Sequence, residues 1–425
     1  MEELTGNWKR RAAGIARAAA LVPIAVVAAA VLARALAASA TVAWRALVAT
    51  AAVGWRAGIG VALVPASTAG AVVLSPAPAL AADHRAGPTV TVVAAGLHSP
   101  RGLTVTPEGV LLVAEAGDGG TGPCIGGPTT GDEACLGLTG AITAVAGGVQ
   151  RRVVTGLPSL RSTAEGAAFG PHDVVVDRGR MLVPIGFGTD PTLRAALGPD
   201  GAALGTVVEA FANGRWRLLA DLAAYEQSAN PDGTDLATQP YALVPSSTGF
   251  VAVDAAANDI LAGTTGGQVS TVAALAGRTV PTACGFPPGQ MEMDPVPAAI
   301  TRGPDGAYYV GELTGVPFPV GGARIWRVVP GQAPTVHATG FTNILDLAFD
   351  RSGRLVVLEH ATNGLCSGDP TGAVVRIEPD GGRTRLLTSP LERPTGLAIA
   401  PNGDYFVAHK GAGVDAAGEV IRFRP

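Results

Sequence analysis

The sequence predicts an all-β protein, a single six-bladed β-propeller with four strands per blade, over residues 82–425. Three observations predict this fold: a recurring hairpin, a composition that favours short strands joined by turns, and an additional strand before the first unit that matches the strand missing from the last unit. The 58 glycines and 33 prolines indicate many turns, and 48% hydrophobic with 15% charged residues indicates a packed domain.

The recurring hairpin consists of two β-rich runs joined by a turn that contains glycine. Four clear copies lie at 103–117, 299–315, 347–364 and 397–411, and two degenerate copies lie at 174–186 and 242–258. A second hairpin follows each of them, so one unit has four strands. The six units begin near Pro100, Pro171, Pro240, Pro297, Ile344 and Pro394, a spacing that suits propeller blades with variable loops.

The sixth unit is one strand short, because the chain stops after "GEVIRFRP" (418–425). The segment "TVTVVAAGL" (89–97) matches the fourth strand of the other units and precedes the first unit. Pairing this N-terminal strand with the last blade closes the ring and removes two exposed sheet edges. A β-sandwich does not account for six similar units with an offset terminus.

Residues 1–81 differ from the rest in being rich in Ala and Val, with widely spaced arginines. Residues 53–81 or so read as a signal peptide, with Arg56 as the basic flank and Ala79-Leu80-Ala81 before the cleavage point. Because the leader is long, either the true start lies further along the chain or residues 18–33 form an additional membrane-associated segment. We therefore expect a secreted, extracellular protein, or one anchored to a membrane only by this leader.

The net charge of −4 and the shortage of basic runs predict that nucleic acid is not a partner. The chain has four cysteines, and an even number in an exported protein predicts disulfides, with three possible pairings. Cys124 and Cys135 would close a short loop in one Gly-rich segment, so we expect that bond. Cys284–Cys366 follows by elimination.

A first column of polar residues lies six positions after the turn glycine, near the end of the second strand, in four units: Glu115, Glu312, Glu359 and His409. Alternation with apolar residues places these side chains on a buried side of the strand. A buried carboxylate must be paired or hydrogen-bonded, and we expect backbone amides of the Gly-rich loop after each strand as the donors. The column is therefore interpreted as anchors for these loops, and its members, with His360, are also ligand-binding candidates.

A second column occupies the third position of each innermost strand: Gly102, Asp173, Ala242, Ala299, Asp346 and Gly396. Small residues suit a crowded axis, and the two exceptions, Asp173 and Asp346, belong to opposite blades. With His172 beside one of them, they are candidates for a Ca²⁺ site or for acid–base catalysis. Alternatively, each aspartate binds a neighbouring turn or water, and Arg101 is their counter-charge or a ligand-binding residue.

Five segments carry a resemblance to a known family: "GPHDV" (170–174), "GELTGVPFPVGGARIWRV" (311–328), "TGFTNILDLAF" (339–349), "HATNGLCSGDPTGAVVRI" (360–377) and "PTGLAIAPNGDYFVA" (394–408). Residues 92–425 resemble the ScyD/ScyE family, secreted NHL-type six-bladed propellers named after a scytonemin biosynthesis cluster. The resemblance implies no established reaction, and the family's name implies an accessory role in secondary-metabolite maturation.

Two kinds of function remain open. The absence of HExxH, GxSxG and P-loop motifs favours a binding or scaffold module, expected to be a monomer. We expect it to bind a small molecule or a protein on its loop-rich face, which collects the long loops 116–138, 187–204, 313–322 and 361–372. The alternative is a lactonase-like hydrolase that depends on a divalent metal at the mouth of the axial channel. The segment "NPDGTD" (230–235) lacks the full ligand spacing and closing Glu of a calcium-binding loop.

Overall fold

The computed structural model describes residues 88–126, 133–162, 167–412 and 418–425. The predicted leader lies outside these residues. Within them, no helix is long and apolar enough to cross a membrane. The short runs rich in Val, Ile and Leu form strands, and the turn glycines between them adopt positive φ, for example Gly109 at 82° and Gly306 at 82°.

Blades 1 to 3 follow one another along the chain. Blade 1 contains β2 (Pro100–Val105), β3 (Leu111–Glu115), β5 (Glu133–Ala146) and β6 (Val149–Ser162), extended by β4 (Cys124–Gly126) and β7 (Ala168–Phe169). Blade 2 contains β8 (Val175–Asp177), β9 (Arg180–Ile185), β10 (Thr206–Ala210) and β11 (Trp216–Asp221). Blade 3 contains β12 (Pro240–Pro245), β13 (Gly249–Asp254), β14 (Asp259–Thr264) and β15 (Val269–Ala274).

A separate hairpin, β16 (Arg278–Pro281) with β17 (Gln290–Met293), leads into the second half of the ring. Blade 4 contains β18 (Pro297–Arg302), β19 (Tyr308–Glu312), β20 (Ala323–Val328) and β21 (Thr335–Phe341). Blade 5 contains β22 (Ile344–Phe349), β23 (Leu355–Glu359), β24 (Ala373–Ile377) and β25 (Arg383–Leu387). Blade 6 contains β26 (Gly396–Ile399), β27 (Tyr405–His409), β28 (Gly418–Phe423) and β1 (Thr91–Leu97).

Short helices lie in the connections of blades 2, 3 and 5. The α-helix α1 (Leu222–Ala229) joins blade 2 to blade 3, and 3-10 helices lie at Pro191–Leu197, Pro199–Gly201 and Leu365–Ser367.

The predicted ring closure is confirmed. Strand β1 pairs antiparallel with β28, with Val92 opposite Ile421 and Leu97 opposite Gly418. The first strand in the chain is therefore the fourth strand of the last blade, and the first blade does not begin until Pro100.

Six apolar clusters fill the ring, one between each pair of neighbouring blades. Successive residues of a strand point to opposite blades, so both faces of each sheet are buried. In β3, for example, Leu112 packs toward blade 2 and Val113 toward blade 6. The core therefore stabilises the ring as a whole.

The glycines of the second column are required by close approach of the inner strands. A Cβ at Gly102 would overlap the Asp173 carboxylate, and one at Gly396 would overlap the backbone at Arg101. The interpretation of small residues as a response to crowding at the axis agrees with these contacts.

Both predicted disulfides are confirmed, Cys124–Cys135 and Cys284–Cys366. The first joins β4 to β5 within blade 1. The second joins the loop of the β16–β17 hairpin to the 3-10 helix Leu365–Ser367 of blade 5, across 82 residues of sequence.

Candidate functional site at the propeller axis

Asp173 and Asp346, which we call the axial pair, occupy equivalent positions in blades 2 and 5. Asp173 Oδ1 accepts a hydrogen bond from its neighbour Val174 N (2.8 Å), and Oδ2 accepts one from Leu243 N of blade 3 (3.2 Å). Asp346 repeats the arrangement, with Leu347 N at 2.7 Å and Leu397 N of blade 6 at 2.7 Å. Each aspartate therefore joins its own inner strand to that of the next blade.

Both carboxyl groups of the axial pair have raised pKa values, and the charge of Asp173 contributes to the shift at Asp346. Burial raises the pKa of Asp173 to about 7. Burial, with the charge of Asp173 added to it, raises the pKa of Asp346 well above its usual value. Since the two blades are opposite one another, this interaction runs across the centre of the ring.

His172, the candidate base beside Asp173, has both ring nitrogens engaged within the protein. Nδ1 lies 2.8 Å from the Gly170 carbonyl oxygen and Nε2 lies 3.0 Å from Gln239 Nε2. The ring thus donates from Nδ1 and accepts at Nε2, which makes it neutral. Burial and the nearby Arg101 lower its pKa to about 3, so it stays neutral at physiological pH.

Arg101 is bound by backbone carbonyl groups of blades 1 and 6. Its Nη1 donates to Gly411 O (2.7 Å) and its Nη2 donates to Ala168 O (3.0 Å). Among the described ion pairs it has no carboxylate partner, so it is not a direct counter-ion of the axial pair. Burial lowers its pKa, and its charge influences His172, His360 and Tyr241.

His360 and Tyr241 have polar atoms that no described residue engages. His360 Nδ1 donates to Pro394 O (2.9 Å), which leaves Nε2 as an acceptor, and burial lowers its pKa to about 4. The Tyr241 ring meets the His172 ring edge-on at 4.8 Å, and its hydroxyl makes no hydrogen bond within the described part of the chain. Burial raises the pKa of Tyr241, and both axial aspartates raise it further.

The first column is built mainly from anchored carboxylates. Glu115 accepts hydrogen bonds from His98 N (2.7 Å) and from Arg152 Nη2 (2.7 Å). Glu312 is fully buried and binds Arg278 with both oxygens, at 2.9 and 2.6 Å. The expected donors were amides of the loop after the strand, whereas His98 precedes the inner strand and the arginines come from β6 and β16.

The last two members of the column are less fully bound. Glu359 accepts from Thr342 N (2.7 Å), and burial raises its pKa. It lines a cavity of about 470 Å³ together with Arg383 and Arg385. His409 Nε2 lies 3.3 Å from Glu419 Oε2 without forming a hydrogen bond, and burial lowers the pKa of His409.

Asp254 also belongs to this column, and counting from the turn glycine misses it. It ends β13 opposite Pro240, as Glu115 ends β3 opposite Pro100. Five residues separate it from Gly249, whereas six separate Glu115 from Gly109. Strand register rather than distance from the turn would have found it.

The axial residues fit a preformed calcium centre poorly. All four oxygens of the axial pair accept backbone amides, and His172 has no free nitrogen. In the described ranges, one group of three His, Cys, Asp or Glu residues has its ligand atoms within 4.8 Å of one another, and it is Cys124, Glu133 and Cys135, whose sulfurs form a disulfide.

No protein-family model matches the chain, and no curated protein matches it. Solved structures do resemble it. A protein of unknown function from Bacteroides thetaiotaomicron is 9% identical with a TM-score of 0.50, covering 80% of this chain and 76% of its own. A gluconolactonase from Xanthomonas campestris is 10% identical (TM-score 0.46, 79% and 90% covered), and a streptogramin B lyase is 13% identical (TM-score 0.43, 79% and 97% covered). The similarity is one of fold, the six-bladed β-propeller, and it does not assign the chain to the ScyD/ScyE family.

Proposed function

We propose that this protein is an exported β-propeller of the ScyD/ScyE type that binds a small polar molecule at the centre of its loop-rich face and catalyses no reaction on it. An accessory role in secondary-metabolite maturation, which the family resemblance implies, is compatible with such binding. The observation that carries the proposal is the contrast between bound and unbound polar atoms around the axis.

The side chains that could take part in catalysis already form hydrogen bonds within the protein. The axial pair is hydrogen-bonded to backbone amides, His172 is held as a neutral ring, and Arg101 is held by carbonyl groups. A general base must reach the proton that it removes, and a nucleophile needs such a base beside it. These side chains serve the ring in preference to a substrate.

The atoms that remain available suit recognition. His360 Nε2 is a neutral acceptor and the Tyr241 hydroxyl is a donor as well as an acceptor, and the charge of Arg101 acts on both residues. A small molecule with a hydroxyl and an anionic group complements this set.

The disulfide bonds support export. Disulfides persist in oxidising compartments, and this chain has two, one within blade 1 and one between the β16–β17 hairpin and blade 5. The signal peptide itself stays a prediction, because residues 1–87 lie outside the described part of the chain.

A panel of small phenols, hydroxy acids and sugars tests the proposal, with binding followed by ligand-observed NMR. We expect bound compounds to lose at least about tenfold in affinity in Tyr241→Phe and His360→Ala, since each change removes one hydrogen bond. Tyr309→Phe and His337→Ala are control substitutions of the same residue types in blade 4, where Tyr309 meets His337 edge-on at 4.8 Å as Tyr241 meets His172. Turnover of a bound compound that His360→Ala abolishes would contradict a purely binding role.

The second candidate is the hydrolase that depends on a divalent metal. One observation favours it: the charge of Asp173 helps to raise the pKa of Asp346, which belongs to the opposite blade. If it is correct, added CaCl2 should support hydrolysis of a lactone or ester, and Asp173→Asn with Asp346→Asn should abolish it. Hydrolysis that survives this double substitution would remove the axial pair from catalysis.

A further inference from the structure

Two buried carboxylates, one on α1 before blade 3 and one on β14 of blade 3, have no hydrogen-bond partner among the described residues. Glu226 of α1 is 1% exposed and Asp259 of β14 is fully buried. All four of their oxygens lack a partner among the described residues. The Ala237 amide lies near Glu226, yet it completes no hydrogen bond with it. We call Glu226 and Asp259 the blade-3 pair.

The local structure explains why these side chains point inward. Asp221 caps α1 by accepting from Ala224 N, and the helix ends at Asn230, whose φ is 40°. Leu222, Ala223 and Glu226 form the buried side of this short helix. Its inward face therefore ends in a carboxylate where an apolar residue would be expected.

Asp259 faces a second acid across the β13–β14 hairpin. It lies directly opposite Asp254, which is itself fully buried. Like charges at directly opposed positions of a hairpin destabilise it. Asp254 is satisfied by Gln239 N (2.5 Å) and Thr238 Oγ1 (2.6 Å), whereas Asp259 has no such support.

The surroundings supply negative charge and no compensating positive charge. Burial raises the pKa of Glu226 to about 7, and the negative charges of Asp254 and Asp232 add to this effect. Burial also raises the pKa of Asp259 well above its usual value, and the charges of the same two aspartates and of Glu226 contribute. Among the described ion pairs, none joins Glu226, Asp254 or Asp259 to an Arg or Lys.

The adjoining loop adds oxygen atoms to the same region. Asn230 Oδ1 is buried without a described partner. Asp232 accepts from Asn258 Nδ2 (3.0 Å), and Asn258 is the residue before Asp259. The unsatisfied atoms are thus all oxygens, from carboxylates and an amide, which are the ligands that calcium prefers in proteins.

We propose that the blade-3 pair binds a calcium ion, with Asn230 and Asp232 as further oxygen donors, at the end of the β13–β14 hairpin. Among the described residues, no three acids of this region have ligand atoms within 4.8 Å of one another, so binding draws the side chains together. The ion would fasten α1 and the 230–235 loop to blade 3. This site is separate from the axial residues and does not depend on the proposed function.

Calcium titration of chelator-treated protein tests the site. We expect one CaCl2 binding event by calorimetry and a rise in melting temperature of about 4 °C at a hundredfold excess over Kd. Glu226→Gln and Asp259→Asn should each weaken binding at least about tenfold, because each removes a charged ligand. Asp173→Asn with Asp346→Asn, and Glu108→Gln on an exposed turn, should bind as the wild type does.

Hydrogen exchange of the wild-type protein locates the ion without any substitution. CaCl2 should slow amide exchange in 222–235 and 254–260. The proposal is overturned if CaCl2 produces no heat and no shift, if MgCl2 acts equally well, or if the two blade-3 variants bind normally. It is also overturned if protection appears around 172–174 and 345–347, which would place the ion at the axis.

Discussion

The axial pair and the blade-3 pair are both carboxylates enclosed by protein, and they differ in what their oxygens contact. The axial oxygens accept four backbone amides, so these aspartates link neighbouring blades. The blade-3 oxygens accept none from the described residues. Burial raises the pKa in both places, and therefore the pKa alone does not separate a structural acid from a binding acid. The two pairs differ instead in the number of their oxygens that accept a hydrogen bond, which is four in the axial pair and none, among the described residues, in the blade-3 pair.

The largest expected effect tests a carboxylate that is fully satisfied. Glu312→Ala removes the partner of Arg278, which is 14% exposed, and the acceptor of Trp326 Nε1 (2.8 Å). Leaving a buried charge without its partner costs about 3–5 kcal/mol. Denaturant unfolding at pH 7 measures the loss, and Glu108→Ala, on an exposed turn, should change stability by less than about 0.5 kcal/mol. A loss below about 1 kcal/mol for Glu312→Ala would contradict the anchoring role of the first column.

The next effect is on pH dependence, measured by denaturant unfolding in EDTA between pH 5 and 8. The folded-state pKa is about 7 for Glu226 and Asp173 and about 6 for Asp254. The folded protein retains protons that the unfolded chain releases near pH 4, so stability falls as pH rises toward 7. The expected fall is on the order of 2 kcal/mol for each group.

Substitutions show how much of this loss of stability with rising pH comes from the axial pair and how much from the blade-3 pair. Glu226→Gln should remove the blade-3 contribution and Asp173→Asn the axial one. CaCl2 should flatten the blade-3 contribution alone, because the ion takes the place of the proton. A fall that neither substitution reduces would mean that other groups cause it.

The smallest expected effect has opposite signs in the two regions. Asp346→Asn deprives one of two backbone amides of its acceptor and should cost about 1–3 kcal/mol. Asp259→Asn removes a charge that has no described partner and lies opposite Asp254, so in EDTA at pH 8 it should cost nothing or stabilise by up to about 1 kcal/mol. Equal losses for both variants, measured by urea unfolding, would erase the distinction between the regions.

Much of the fold could be predicted because it repeats. The turn glycines, the alternating strands and the offset first strand each leave a local pattern, and β1 pairs with β28 as the pattern required. The crowding at Gly102 also followed from position within the repeat, whereas the two disulfides followed from the short spacing of Cys124 and Cys135 and from elimination. Asp254 was not predicted as a member of the first column, because the column was defined by distance from the turn glycine and this distance is one residue shorter in blade 3.

The sequence by itself determined the number of blades, the closure of the ring, and the positions at which polar residues enter its buried layers. These properties depend on strand period and turn chemistry, which act over a few residues. Only the tertiary structure decided which polar atoms are satisfied. Asp173 accepts a hydrogen bond from Leu243 N, whereas the carboxylate oxygens of Glu226 have no described partner. Both outcomes depend on which segments the fold brings together, and no local sequence pattern encodes this.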